Sequence, residues 1–172
     1  MAMQEEIRGI REAKLTRLEK AGMSPYPVSV KRTHTVQEAL GEDSKLAKSA
    51  KLISIVGRIR AIRGHGGSTF LNVEDGTGSL QAYLKKDRVG AKAYDLFMDA
   101  FDLGDFVRLA GTMFKTKKGE KTLEVADFTM LTKSLLPLPD KWHGLQDVEE
   151  RYRKRYLDLL FNKEVREVVV KR

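Results

Sequence analysis

The feature that most constrains the fold of this chain is an alternation of apolar and polar side chains that recurs in five short stretches. In the first stretch, Ile53, Ile55 and Ile59 alternate with polar neighbours, which is the two-residue period of a β-strand with one buried face. Gly57 within it indicates a bulge or bend. The pattern predicts strands at 52–62, 68–74, 79–85, 106–114 and 122–131.

The connections between these strands indicate how the sheet is assembled. Asp75-Gly76-Thr77-Gly78 joins the second and third strands, and an Asp-Gly step is a strong hairpin signal. Residues 87–101 return to a helical period, and Lys117-Lys118-Gly119-Glu120 forms the last turn. Three strands, one helix and two strands are the element order of an OB-fold. This five-stranded barrel binds oligonucleotides on its second and third strands and its first and fourth loops.

The segments on either side of the predicted barrel have helical patterns. Apolar residues recur at helical spacing over 4–21, with charged residues on the other, solvated faces, and Gly22 favours termination. Thr35 and Glu38 have the spacing of a capping box, which predicts a second short helix in an otherwise connecting segment. The result is β structure with flanking helices.

We expect three parts in the chain. They are an amino-terminal helical extension at 1–50, the barrel domain at 51–134, and a connector at 135–172. Prolines favour an extended start to this connector, and a charged helix is predicted from 147 to about 161.

Composition and charge narrow the function. With 32 Lys and Arg against 24 Asp and Glu, the formal net charge is +8, which favours a polyanionic partner. The absence of cysteine excludes disulfides and thiolate metal sites and fits a cytoplasmic protein. No apolar run approaches the roughly 20 residues of a membrane span, so no membrane partner is expected. His34, His65 and His143 lack ligand spacing, so we expect no metal site.

Alternation on the second and third strands assigns their side chains to two faces. If Leu71 and Val73 point into the barrel, Phe70 must point outward, and by the same rule so must Gln81 and Tyr83. An exposed phenylalanine beside a glutamine then lies on the face that OB-folds use for single-stranded nucleic acid. An equally good interpretation at this point is that the amino-terminal helix covers Phe70 as ordinary core.

Basic residues border the same face. Arg63 lies just after the first predicted strand, and four lysines lie around the fourth loop, Lys115, Lys117, Lys118 and Lys121. Basic loops beside an aromatic surface suit single-stranded nucleic acid, because lysines contact phosphates while rings stack on bases. A solvated hairpin is the alternative. Fold and charge together favour nucleic-acid binding.

Several segments of the chain resemble bacterial class II lysyl-tRNA synthetases, from the leading helix to the last residue. The resemblance is carried by 63–66 (RGHG), 68–70 (STF), 75–81 (DGTGSLQ), 102–105 (DLGD), 111–120 (GTMFKTKKGE), 137–156 (PLPDKWHGLQDVEERYRKRY) and 157–159 (LDL). The related aspartyl and asparaginyl enzymes share the barrel but not the RGHG and PLPDKWHGL segments. The resemblance is therefore specific to the lysyl enzymes.

This resemblance implies that the barrel binds the anticodon of tRNA(Lys) and reads its uridines. The anticodon-reading positions of the family correspond to Arg63, Phe70, Gln81 and Glu120. Family members are cytoplasmic homodimers that use ATP and Mg²⁺ in a catalytic domain whose motifs this chain lacks. We therefore expect an amino-terminal fragment with no catalytic residue and no bound cofactor.

Two other functions stay open. A free-standing OB module would bind single-stranded nucleic acid without preferring tRNA. The anticodon domain of an aspartyl or asparaginyl synthetase would prefer a different anticodon.

Overall fold

The structure, a computed structural model, describes residues 2–138 and 147–172. Most of the predicted PLPDKWHGL segment, including Pro139 and His143, lies outside the described residues. The helices and strands are α1 Ala2–Lys20, α2 Val36–Gly41, α3 Asp43–Ser49, β1 Ile53–His65, β2 Ser68–Glu74, β3 Ser79–Lys85, α4 Lys86–Val89, α5 Ala91–Ala100, β4 Phe106–Lys115, β5 Lys121–Thr132, α6 Val148–Arg153, α7 Arg155–Phe161 and α8 Lys163–Lys171.

The five strands form a closed barrel in the order β1-β2-β3-β5-β4. Neighbouring strands are antiparallel except β3 and β5, which run parallel. The chain between β3 and β4 contains α4 and α5. This arrangement confirms the predicted OB-fold, and the predicted bounds of β2 and β3 are those observed.

The inner face of the barrel forms the hydrophobic core. The buried side chains of β2 and β3 are Leu71, Val73, Leu80, Ala82 and Leu84. From α5, Phe97 joins the same core, where its ring stacks on Phe101 at 4.5 Å and meets Phe128 edge-on at 5.3 Å. These positions confirm the two faces assigned from alternation.

A close approach of β1 and β2 requires glycine at position 57. A β-carbon added to Gly57 would lie 2.8 Å from the carbonyl oxygen of Glu74, closer than real β-carbons come. The bulge predicted at Gly57 lies slightly later in the strand, because the register with β2 shifts between Ile59 and Ala61. Gly57 therefore permits strand packing, and the irregularity follows it.

Three local predictions are wrong. The single helix predicted over 87–101 is two helices, because Gly90 has a φ of +89°, a left-handed conformation that interrupts helical hydrogen bonding. Residues 43–49, interpreted as connector, form α3. The first strand continues through Gly64 as far as His65.

Ion pairs and hydrogen bonds from charged side chains connect α1 to the barrel domain. We call the cluster of Arg11, Lys14, Asp102, Asp105 and Lys133 the α1 dock. The ammonium of Lys133 lies 2.6 Å from Asp102 and 2.7 Å from Asp105, and that of Lys14 lies 2.6 Å from the other oxygen of Asp102. The prediction that the charged faces of this helix are solvated is therefore wrong for these residues.

The pKa values of the two carboxylates in the α1 dock are shifted in opposite directions. Burial raises the pKa of Asp105 above its ordinary value, and the bonds from Lys133 do not fully offset that effect. At Asp102, burial also acts to raise the pKa, but hydrogen bonds from Lys133 and Lys14 outweigh it, so the pKa is lowered. The difference follows from burial, since the side chain of Asp105 is 0% exposed and that of Asp102 is 20% exposed.

The chain divides into two compact units, Met1–Pro137 and Leu138–Arg172. In the second unit, the single charged helix predicted at its start is two helices, α6 and α7, followed by α8. Its buried carboxylate, Asp158, accepts hydrogen bonds from Arg151 and Arg155 at 2.9 and 2.8 Å. Among residues 2–138 and 147–172, no helix is both long and apolar enough to cross a membrane.

Candidate nucleic-acid interface

Three aromatic rings lie together on the outer face of the barrel. Phe70 of β2 stacks on Tyr83 of β3 with ring centroids 4.7 Å apart, and Phe114 of β4 lies 6.2 Å from Tyr83. We call these three residues the aromatic row. All three side chains stay partly exposed, because alternation turns them away from the core. The row offers flat apolar surface to a ligand.

The position of α1 decides between the two interpretations of Phe70. The hydrogen bonds and ion pairs of α1 to other elements run to residues in the range 99–136, which includes the end of α5 and the chain leaving β5. Phe70 remains partly exposed beside Tyr83. The interpretation that α1 buries Phe70 as core is therefore wrong.

Polar side chains lie next to the aromatic row on the same face. Gln81 is the register partner of Asn72 on β2 and of Thr122 on β5. Its amide nitrogen donates to the hydroxyl of Thr122 at 2.9 Å, and that hydroxyl donates to the carbonyl oxygen of Glu120 at 3.2 Å. Within the described residues nothing bonds the amide oxygen of Gln81. One acceptor and one remaining N–H of this amide are therefore available to a ligand.

Residues 116–120, which we call the β4–β5 turn, present Glu120 at the edge of this face. Thr116 bonds Glu120 twice, since its amide donates to the Glu120 carbonyl at 3.0 Å and its hydroxyl accepts from the Glu120 amide at 3.1 Å. Gly119 has a φ of +83°, which closes the turn. The carboxylate of Glu120 is exposed and, among the described residues, forms no ion pair.

Arg63 lies at the opposite edge of the aromatic row. It is exposed near the end of β1, and Phe70 is its register partner on β2. The structure thus brings Arg63, Phe70 and Gln81 onto adjoining strands of one face, with Glu120 in the turn that leads into the strand beside Gln81.

The four predicted phosphate-binding lysines fall into two pairs. Lys117 and Lys118 are exposed in the β4–β5 turn and make no ion pair within the described part of the chain. Lys115 and Lys121 bind the same carboxylate, that of Asp43 in α3, at 3.2 and 2.8 Å. Any phosphate at Lys115 or Lys121 would compete with this carboxylate.

Two members of this surface were absent from the predicted site residues. Alternation places Tyr83 on the outer face but does not predict that its ring stacks on Phe70. Phe114 is identified by the same alternation once it is extended to β4, where Met113 is buried and its neighbour must point outward.

Comparison with known proteins relates the barrel, and the chain that contains it, to described families. Residues 53–131 match the family model described as an OB-fold nucleic acid binding domain. The lysine–tRNA ligases of Carboxydothermus hydrogenoformans and Halalkalibacterium halodurans are each 46% identical to the chain, over 167 and 172 residues, and that of Bacillus cytotoxicus is 47% identical over 168. These alignments cover 95–97% of this chain but 34% of each relative. The chain therefore spans about a third of the length of these curated relatives.

Proposed function

We propose that this chain binds the anticodon of tRNA(Lys), because its residues 53–131 belong to the OB-fold nucleic-acid-binding domains and the whole chain is a homologue of the amino-terminal third of lysine–tRNA ligases. The observation that carries the proposal is the aromatic row with the Gln81 amide beside it. Stacking on an aromatic ring contributes about 1–3 kcal/mol per base, and the neighbouring amide supplies base identity.

Gln81 and Glu120 suit the reading of uridine. The edge of uracil carries an N–H donor between two carbonyl acceptors, so an amide with a free acceptor and a free N–H pairs with it in both directions. The exposed carboxylate of Glu120 accepts the same kind of N–H. A cytosine in that place has no proton on its ring nitrogen, so it cannot make this hydrogen bond.

Charge then positions the RNA backbone. Lys117 and Lys118 contact phosphates, since they are exposed and are not held by a carboxylate within the described residues. Arg63 contacts a base or phosphate at the far edge of the row. Lys115 and Lys121 contribute less to phosphate binding, because Asp43 already holds them.

The remaining properties of lysine–tRNA ligases belong to parts of those proteins that this chain does not match. We assign ATP, Mg²⁺ and catalysis in a full-length cytoplasmic enzyme to that remainder, and we propose that the full-length enzyme is a homodimer. In residues 2–138 and 147–172, no three His, Asp or Glu side chains converge on a common position. No step of the ligase reaction is assigned to them.

Binding of labelled anticodon stem-loops to the purified chain tests the proposal. The stem-loop with the lysine anticodon is expected to bind most tightly and to weaken when a uridine is replaced by cytidine. Stem-loops with aspartate or asparagine anticodons on the same stem are the matched controls. Equal affinity for a mixed oligonucleotide would indicate a general single-strand-binding module, and tighter binding of a control stem-loop would indicate a different synthetase.

A further inference from the structure

One carboxylate outside the barrel holds both ends of the β4–β5 turn. Asp43 lies at the start of α3, and its side chain is only 10% exposed. One of its oxygens is 2.8 Å from the ammonium of Lys121, the first residue of β5, and the other is 3.2 Å from that of Lys115, the last residue of β4. The five residues of the turn lie between these two lysines.

The helix that precedes Asp43 and one of the lysines that Asp43 binds are themselves bonded to neighbouring elements. The preceding helix α2 is fixed to the β2–β3 hairpin, because the Val36 amide donates to Asp75 at 2.9 Å. Lys121 donates a further hydrogen bond to the carbonyl oxygen of Leu40 at 2.9 Å. The hydrogen bond from Lys121, followed by that from Lys115, also lowers the pKa of Asp43, so the carboxylate stays ionised at physiological pH.

We propose that Asp43 is a positioning residue that sets the specificity of RNA binding by holding Lys115 and Lys121 and thereby fixing the turn that carries Glu120. This inference rests on the proposed function of the outer face.

The first part of this role concerns phosphate. Contacts between lysine and phosphate strengthen binding to every RNA alike, whereas contacts to base edges distinguish one RNA from another. By pairing with two of the four lysines around the turn, Asp43 lowers the sequence-independent share of the affinity. The base contacts then decide more of the outcome.

The second part concerns geometry. Thr116, which follows Lys115, bonds the backbone of Glu120, which precedes Lys121. Fixing the two lysines therefore fixes the segment between them, and the Glu120 carboxylate meets a base from a preset position. Preorganisation of this kind favours the ligand that fits and penalises others.

Asp43→Asn tests the proposal in the 172-residue chain, with Asp127→Asn as the matched control. Both substitutions remove one negative charge, so they change the net charge equally. Asp127 differs in its partner, because it pairs with Arg108 at 2.7 Å and not with Lys115 or Lys121. Affinity for the lysine-anticodon stem-loop and a non-cognate stem-loop is measured across salt concentrations. For Asp43→Asn we expect a slope of log K against log salt that is steeper by about 0.7 for each lysine released. We also expect a smaller preference for the cognate RNA. Equal slopes and equal preferences in the two variants would overturn the proposal.

A second pair of variants tests the same idea without altering Asp43. Lys115→Met should flatten the salt slope less than Lys117→Met, because Lys115 is already paired with Asp43. An equal or larger effect of Lys115→Met would contradict the proposal.

NMR of the free protein separates this inference from the proposed function. The amide resonances of Gly119 and Glu120 should shift in Asp43→Asn and stay in place in Asp127→Asn. Thermal unfolding curves verify that both variants are folded. Unchanged amides would overturn the positioning role. If the wild-type chain binds no RNA, the anticodon proposal fails, while the amide result still decides whether Asp43 positions the turn.

Discussion

The α1 dock and the aromatic row occupy different surfaces of one barrel and use their polar groups in opposite ways. In the dock, the side chains of Lys133 and Asp105 are 0% exposed and bonded to each other at 2.7 Å. In the row, the rings of Phe70 and Tyr83 remain partly exposed beside an amide with a free acceptor. A buried charge without a partner costs several kcal/mol, whereas an exposed ring adds little to folding. The dock therefore stabilises the fold, and the row is left for a ligand.

The largest effect should come from Lys133→Ala. Removing this ammonium leaves Asp105 buried and unpaired and takes one partner from Asp102, so the free energy of unfolding should fall by about 3–5 kcal/mol. Urea denaturation measures the loss. Lys86→Ala is the matched control, because its ion pair with Asp95 is exposed and should contribute less than about 1 kcal/mol. Similar losses in the two variants would show that burial does not set the contribution.

Phe70→Ala, in the aromatic row, should affect RNA binding and not the stability of the fold. Loss of the outer ring should weaken binding of the lysine-anticodon stem-loop by about 1–3 kcal/mol and leave the melting temperature nearly unchanged. Phe97→Ala, which truncates a core ring, should instead cost about 3–5 kcal/mol of stability. A melting temperature for Phe70→Ala as low as that of Phe97→Ala, without a specific loss of RNA binding, would identify Phe70 as core.

Acid should weaken the dock through Asp102. Because its folded pKa is lowered, its contribution is present above the unfolded value near 3.9 and is lost as pH falls through the folded pKa. Asp105 has a raised pKa and acts in the opposite direction, since the folded state then binds the proton more readily. Below about pH 4, urea unfolding should show a steeper loss of stability in the wild type than in Asp102→Asn. Parallel pH profiles would exclude this role of Asp102.

The smallest effect should be that of Gln81→Ala. The difference in binding free energy between uridine-containing and cytidine-containing stem-loops should fall by about 1 kcal/mol, because the hydrogen bonds of the Gln81 amide are lost while the stacked rings remain. Lys117→Ala is the control, since it should weaken both RNAs alike. An unchanged difference in Gln81→Ala would remove this residue from base recognition.

The sequence predicts those elements of the fold that are determined by residues close together in the chain. The strands β2 and β3 follow from alternation and an Asp-Gly turn, and the capping box of Thr35 and Glu38 is confirmed in α2. The helix α3 has no such pattern, because Leu46 is its one large apolar residue and tertiary burial stabilises it. Gly90 ends a helix by its conformation, which the surrounding period does not reveal.

Ion pairs between residues far apart in the sequence are a further part of the structure that the sequence does not predict. Lys14 and Asp102 are 88 positions apart, and Asp43 is more than 70 positions away from each of its lysines. No periodicity links such partners, so a charged residue looks solvated until its neighbours are known. The outward position of Phe70 can be predicted from the sequence, because it follows from the alternation of side chains within one strand.

The guanidinium of Arg11 gives the barrel a mechanical property. It donates to the carbonyl oxygens of Ser134 and Leu136 at 2.8 and 2.9 Å, just past the end of β5 at Thr132. Tension on the chain beyond Leu136 would reach these bonds before it reached the ladder between β5 and β4. These two hydrogen bonds would therefore bear such a force first, before the backbone hydrogen bonds of the strands that carry the aromatic row.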